Sequence, residues 1–129
     1  MVLTIDRFED IKAWQAAREL TGIIYALTGK ETFSRDYGLK DQIQRASGSV
    51  MHNIAEGFDA ESNVEFTRFL RYAKRSCTEV QSQLYLAFDQ NYINQKEFDE
   101  AYNLTSITRA TIHGFIRYLV NYKTKNQRP

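Results

Sequence analysis

The chain has 129 residues, which is enough for one domain with a hydrophobic core of its own. Its 17 basic and 16 acidic residues give a formal net charge of +1, so a nucleic-acid surface would have to be local or built by oligomerisation. Hydrophobic residues make up 43% and charged residues 26%, as in an ordinary globular protein. One proline and six glycines disfavour a protein of sheets and turns and leave room for long helices.

The sequence also bears on location. No apolar run approaches the ~18 residues that a membrane span needs. The N-terminus lacks the basic start and apolar run of a signal peptide. Cys77 is the single cysteine, which excludes an internal disulfide and fits a reducing compartment. We therefore expect a cytoplasmic protein with no membrane partner.

The first helix is predicted over residues 9–28. Its apolar residues are spaced alternately by four and three, as in a heptad seam: Ala13, Ala17, Leu20, Ile24 and Leu27. A second stripe on the same helix contains Trp14, Arg18 and Tyr25. These side chains either extend a wide core or face another subunit, because a helix with two such stripes has more than one surface to cover.

A loop is predicted over residues 29–37, with Phe33 as an anchor folded back onto the other helices. The second helix follows over residues 39–56. Its polar stripe consists of Arg45, Ser49, His52 and Glu56, with Asn53 at the border. We favour an ion-pair network, within the helix or between subunits, over a catalytic site, because a helical face offers no obvious oxyanion donors or water-excluding cleft. Gly48 is expected to allow close packing, and Gly57 to end the helix in the left-handed conformation.

The third helix is predicted over residues 63–90, where Ser62 and Glu65 have the spacing of a capping box. Its apolar seam alternates four and three without interruption: Phe66, Leu70, Ala73, Cys77, Val80, Leu84 and Ala87. Because Cys77 lies in this seam, we interpret it as a small core residue rather than a nucleophile. Basic residues occupy the far side and its flank: Arg68, Arg71, Lys74 and Arg75. They form either a solvated face or a phosphate-binding surface.

The fourth helix is predicted over residues 95–122, and Asn94 and Glu97 repeat the capping spacing. Its second, partly apolar side includes Tyr118. The tail beyond it is basic and contains Lys123, Lys125 and Arg128. Four helices with short connections and matching seams predict a single all-α domain, residues 1–129, folded as an antiparallel up-down-up-down four-helix bundle.

Recognisable catalytic motifs are missing from the sequence. His52 and His113 are the only histidines, and neither has a partner at metal-ligand spacing on a core face. No glycine-rich phosphate loop and no paired-cysteine zinc motif occurs. We therefore expect no catalytic residues, no metal and no cofactor, and we expect that the protein is not an enzyme.

The segment R-A-x-x-S-V-x-x-N-I-A-E-G, residues 45–57, resembles a bacterial family, the 23S rRNA-intervening sequence proteins. The likeness extends over nearly the whole chain, through Ala13–Ala17, Tyr37–Leu39, Gln42–Ala46 and Glu65–Leu70. It implies a four-helix bundle that assembles as a ring, typically a homopentamer, with an unestablished molecular role. Related accessory proteins of diversity-generating retroelements bind nucleic acid and a reverse transcriptase, so the resemblance also implies nucleic acid as a partner.

The leading hypothesis is a non-enzymatic, ring-forming scaffold that binds RNA or DNA weakly through basic helix faces. The candidate nucleic-acid residues are Arg68, Arg71, Lys74, Arg75, Lys123, Lys125 and Arg128. The candidate oligomer interface contains Trp14, Arg18, Tyr25 and Tyr118. A structural role is assigned to Arg45, Ser49, Asn53, Glu56 and Gly57. The alternative is a protein–protein interaction scaffold without a nucleic-acid role.

Overall fold

The structure is a computed structural model that describes residues 5–126, with side chains described for residues 5–122. All regular structure in this range is helical. A turn of 3-10 helix, Phe8–Asp10, is followed by five α-helices: α1 (Lys12–Thr28), α2 (Glu31–Arg35), α3 (Tyr37–Phe58), α4 (Asn63–Asp89) and α5 (Gln95–Asn126). Within residues 5–126, every helix is too short or too polar to span a bilayer.

Both ends of the predicted helical region differ from the structure. Helix α1 begins at Lys12 rather than at residue 9, because Ile11 has extended backbone angles that separate α1 from the preceding 3-10 turn. Helix α5 continues past residue 122 to Asn126. The backbones of Lys123 and Lys125 therefore belong to α5 rather than to a tail, whereas Arg128 lies outside the described residues.

The loop predicted over residues 29–37 is wrong in part, because it contains α2. Helix α3 also begins earlier than predicted, at Tyr37. The carboxylate of Asp36 accepts a hydrogen bond from the backbone N–H of Leu39 at 3.1 Å, which satisfies a donor that the first turn of α3 would otherwise leave free.

The prediction that Phe33 anchors this segment is confirmed. Its side chain is fully buried and stacks on Tyr92, with 5.2 Å between ring centroids. The hydroxyl of Tyr92 donates to Asp36 at 2.9 Å, so the same tyrosine also contacts the cap of α3. A five-residue helix has little stability of its own, and these tertiary contacts hold α2 in place.

The four long helices share a core that follows the predicted seams. Every seam residue of α1 and α4 is buried, which confirms the period read from the sequence. Cys77 is fully buried in the α4 seam, and burial raises the pKa of its thiol to about 12. The thiolate is therefore strongly disfavoured, and Cys77 is a core residue as predicted.

Each long helix packs against two others, as in a bundle: α1 against α3 and α5, and α4 against α3 and α5. Polar contacts cross these interfaces as well. The Gln44 amide of α3 donates to the Thr28 hydroxyl of α1 at 3.0 Å. The Ser76 hydroxyl of α4 donates to Ser49 Oγ of α3, also at 3.0 Å.

Close packing occurs at a different glycine from the one predicted. Gly57 lies inside α3, and no glycine within residues 5–126 has a positive φ, so the predicted left-handed stop is wrong. A Cβ atom on Gly57 would lie 2.8 Å from Phe66 Cδ1 and from Phe69 Cβ on α4. A Cβ on Gly48 would meet only His52 of its own helix, at 3.6 Å. Within the chain, Gly57 and not Gly48 allows the close approach.

The predicted helix caps are formed to different extents. At α5, the Glu97 N–H donates to Asn94 Oδ1 at 2.8 Å, and the Asn94 N–H donates to Glu97 Oε1 at 2.9 Å, so the capping box is complete. At α4, Ser62 Oγ accepts from the Glu65 N–H at 3.2 Å. The Glu65 carboxylate instead pairs with Arg68 at 2.6 Å, so only half of that box forms.

Candidate functional site

A basic cleft lies between α4 and α5. Its volume is about 270 Å³. Five residues line it: Arg71, Lys74, Arg75, Thr78 and Arg109. All four charged residues of the lining are basic, and three of them were singled out from the sequence.

The periodicity of the two helices explains why these side chains meet. Leu70, Ala73 and Cys77 turn one side of α4 into the core, which directs Arg71 and Arg75, one turn apart, towards solvent. The fourth cation comes from α5. Arg109 reaches across to α4, where its Nε donates to Thr78 Oγ1 at 3.3 Å. The long heptad seams thus place basic residues from two helices around one depression.

His113 extends the basic cluster along α5. Its Nδ1 lies 3.0 Å from Lys74 Nζ. The positive charge of Lys74 lowers the pKa of His113, with smaller contributions from desolvation and from the charges of Arg117, Arg109 and Arg71. Every charge that shifts this pKa is positive, which shows that the local field is cationic. We call the six residues Arg71, Lys74, Arg75, Arg109, His113 and Arg117 the α4–α5 basic surface.

The cations of the α4–α5 basic surface have no direct carboxylate partners among the described side chains. Among the side chains of residues 5–122, no aspartate or glutamate forms an ion pair with any of its members. Arg75 does lie over the Tyr72 ring, with its Cζ 5.9 Å from the ring centroid. Arg68 differs from the surface residues, because Glu65 pairs with it at 2.6 Å and it does not line the cleft.

Sequence reasoning missed the contribution of α5. Arg109, His113 and Arg117 are spaced by four, which places them on one helix face, and this spacing was available as a signal. The basic residues predicted beyond Arg117 are Lys123, Lys125 and Arg128. Of these, Lys123 and Lys125 lie in α5 with side chains outside the described range, and Arg128 lies outside it altogether.

The stripe of α3 forms a second, wider depression of about 570 Å³. It is lined by residues of α3 together with one tyrosine of α1: Tyr25, Asp41, Gln44, Arg45, Gly48, Ser49, His52, Asn53 and Glu56. Arg45 pairs with Asp41 one turn earlier at 2.9 Å, and both side chains are well exposed. Glu56 is exposed and forms no ion pair among residues 5–122. Arg45 thus pairs along α3, and pairing between subunits stays a prediction.

Two residues of the same stripe have contacts within the chain. Asn53 Nδ2 donates to the carbonyl oxygen and to Oγ of Ser49, both at 2.9 Å. Ser49 Oγ in turn accepts from Ser76 of α4. Ser49 therefore connects α3 to α4 on the half-buried side of the stripe, and Asn53 holds Ser49 from one turn further along α3.

The candidate interface residues lie in different environments. Trp14 is half-buried at the edge of the core, against Phe8 in an edge-to-face contact at 5.1 Å. Arg18 lies over the Trp14 ring, 5.8 Å from its centroid. By contrast, Tyr25 is 54% exposed and Tyr118 is 43% exposed. A wide core accounts for Trp14, but it does not account for the two tyrosines.

Comparisons with known proteins agree with this architecture. A family profile described as 23S rRNA-intervening sequence protein matches residues 9–114. A comparison with curated proteins finds no significant match. Among solved structures, a protein of unknown function from the S23 ribosomal protein family of Bacteroides thetaiotaomicron is similar, with a TM-score of 0.75 and 20% identity over 81% of this chain and 95% of that one. Because the family profile spans most of the sequence, the chain belongs to the 23S rRNA-intervening sequence protein family.

Proposed function

We propose that this protein is a non-enzymatic, ring-forming four-helix bundle that binds RNA or DNA through the α4–α5 basic surface. The observation that carries this proposal is the cleft whose charged lining is entirely basic: Arg71, Lys74, Arg75 and Arg109. Cationic groups without acidic partners are suited to the negatively charged phosphates of a nucleic-acid backbone. They give no reading of base sequence, so the proposed binding is sequence-tolerant.

The order of contacts between helices supports an antiparallel up-down-up-down bundle. Thr28, at the end of α1, contacts Gln44 of α3. Thr21, earlier in α1, donates to the carbonyl of Ser47, which lies later in α3. The other helix pairs also run in opposite directions. Between α3 and α4, Ser49 contacts Ser76 and Gly57 lies against Phe66. Between α4 and α5, Lys74 contacts His113 and Gln81 contacts Ser106.

Assembly into a ring would make weak contacts effective. One subunit offers only a few phosphate contacts, whereas a homopentamer would repeat the α4–α5 basic surface around the ring. The exposed tyrosines Tyr25 and Tyr118 support a surface that another subunit covers, because they lie outside the core. Linked sites bind a long polyanion more tightly than a single site does, since later contacts become intramolecular.

The test is a fluorescence-anisotropy titration with mixed-sequence oligonucleotides at about 50 mM and about 200 mM salt. Binding is expected at the lower concentration and should weaken steeply at the higher one, because neutralised phosphates release condensed counterions. An Arg71→Glu, Arg109→Glu variant should lose binding. The matched control is Arg7→Glu, Arg35→Glu, which changes the net charge equally at two exposed arginines elsewhere.

Each variant must first be shown by sedimentation to keep the oligomeric state of the native protein. Equal loss of binding in both variants would mean that only total charge matters, not the cleft. No binding of the native protein at either salt concentration would refute the nucleic-acid proposal. A protein-interaction scaffold, with the open depression along α3 as its contact surface, would then be the remaining function.

A further inference from the structure

The contact between Lys74 and His113 joins a hydrogen-bond donor of α4 to an imidazole nitrogen of α5. A lysine ammonium has three hydrogen-bond donors and no acceptor. Its Nζ lies 3.0 Å from His113 Nδ1, so the imidazole must accept at Nδ1. This geometry favours a neutral His113 with its hydrogen on Nε2, in agreement with the lowered pKa of the imidazole. Lys74 thus donates one of its hydrogens to the His113 imidazole, within a surface whose other members are cations.

We propose that Lys74 and His113 form a proton-linked phosphate site, in which binding of a phosphate group is accompanied by protonation of His113. This inference rests on the proposed function, because a nucleic acid would supply the phosphodiester group. It adds to that function a defined ligand position and a dependence on pH. Inorganic phosphate offers the same oxygen chemistry and is a second possible ligand.

The charges around His113 support this coupling. Lys74 and Arg71 act on it from α4, and Arg109 and Arg117 act from α5. All four disfavour a further positive charge, and with desolvation they hold the pKa of His113 below its usual value of 6.5. No acidic group contributes to this shift among the described residues. A bound phosphate would introduce the missing negative charge at short range and so raise the pKa.

Protonation would also rearrange the hydrogen bonds of the site. A protonated imidazole donates from both nitrogens, so it can no longer accept from Lys74. His113 Nδ1 would become a donor and the N–H of Lys74 that it accepted would be released, so a phosphate oxygen between them could accept from each. In the neutral pair, Nδ1 has no hydrogen to donate, one lysine N–H is occupied by Nδ1, and the site has one positive charge fewer. Phosphate affinity should therefore rise as the pH falls through the interval between the pKa values of His113 in the free and bound states.

The direct test is to follow His113 by NMR. The chain contains only two histidines, so the ring Cε1–H resonances of His113 and His52 are readily assigned by His52→Gln and His113→Gln variants. Each resonance is titrated with pH at low salt, with and without a twelve-nucleotide oligothymidylate, whose bases do not titrate near neutral pH. His52 is exposed on α3 and serves as the internal control. The oligonucleotide should raise the pKa of His113, and the His52 resonance should not respond to it.

A second arm replaces the oligonucleotide with inorganic phosphate. A shift with oligothymidylate alone would identify a backbone phosphodiester as the ligand. An equal shift with millimolar phosphate would identify free phosphate as a sufficient ligand, and it would support the site whether or not nucleic acid binds. No shift of His113 with either probe would overturn the inference.

Binding measurements separate this inference from the proposed function. Oligothymidylate affinity should increase towards low pH, by no more than about tenfold per pH unit because one proton is linked. His113→Gln should bind with an affinity that changes little between pH 5.5 and pH 8, while His52→Gln should keep the native pH dependence. If native and His113→Gln proteins bind with the same pH dependence, only the inference fails. If neither binds oligonucleotide at any pH, the proposed function fails.

Discussion

At the scale of single residues, alanine substitutions at two glycines of α3 are expected to change the stability of the protein in opposite directions. Gly57→Ala would place a Cβ atom 2.8 Å from Phe66 Cδ1 and Phe69 Cβ. Because the Phe69 atom is close to the backbone of α4, the two helices must separate. Overpacking of this kind costs about 1–3 kcal/mol. Gly48→Ala meets only the flexible His52 side chain, and alanine favours the helix by up to about 1 kcal/mol over glycine.

Urea unfolding measured at several protein concentrations tests both changes. Gly57→Ala should lower the free energy of unfolding, and Gly48→Ala should raise it slightly. If Gly48→Ala weakens only the oligomer, then another subunit approaches Gly48 closely. A neutral Gly57→Ala would contradict the close packing of α3 and α4.

A third prediction at this scale concerns the effect of Glu56 on the stability of the subunit. Its side chain is exposed and has no ion-pair partner among residues 5–122, so the subunit alone gives it little structural role. Glu56→Ala should change the stability of the dissociated subunit by less than about 0.5 kcal/mol. Sedimentation velocity should nevertheless reveal weaker assembly if Glu56 pairs across subunits. A large loss of subunit stability would show that the carboxylate has a partner inside the chain.

At the scale of elements, Glu97 joins the start of α5 to the residue that precedes α2. Its carboxylate accepts from Lys30 Nζ at 2.6 Å and from the Asn94 N–H. The hydrogen bond with Lys30 has the largest effect on the pKa of Glu97 and lowers it in the folded protein, and the bond with the Asn94 N–H lowers it further. A depressed pKa contributes stability above the unfolded value of about 4.5, and this stability is lost as the pH falls through the folded value.

Glu97→Gln should remove this pH-dependent contribution. Glutamine can still accept from the Asn94 N–H, so the cap survives while the charge is lost. We expect a cost of at most about 1 kcal/mol at pH 7, because the pair with Lys30 is partly exposed. The difference in melting temperature between native and variant should shrink as the pH falls from 6 to 3. Glu31→Gln, which removes a largely exposed pair with Arg35, is the control. A constant difference across this range would contradict the assignment.

At the scale of the whole molecule, the proposed assembly would cover apolar surface that the subunit leaves exposed. Tyr25→Glu would place a charge in the proposed interface without disturbing the core, since the tyrosine is 54% exposed. Sedimentation equilibrium should show a smaller species with the native helical content. Tyr37, 77% exposed and outside the candidate interface, provides the control Tyr37→Glu, which should assemble normally. Equal assembly of both variants would exclude Tyr25 from the interface.

Much of the fold was determined by the sequence because the relevant signals are local and periodic. The α4 seam from Phe66 to Ala87 specifies a helix with one buried face, and it correctly placed Cys77 in the core. The Asn94–Glu97 spacing specified the start of α5, since a capping box involves only neighbouring residues. The polar stripe of α3 was likewise predicted correctly, because it follows from a period of 3.6 residues.

Other features were decided by tertiary structure. Helix α2 is too short to be stable alone, and it exists because Phe33 is buried against Tyr92. The role of Gly57 depends on which residues of α4 face it, and a helical period does not contain that information. The α4–α5 basic surface arises in the same way. Each helix by itself specifies a basic face. Only the packing of α4 against α5 brings Arg109 to the cleft and His113 to Lys74. The register between two helices is set by how their side chains interlock, and the sequence of one helix does not contain it.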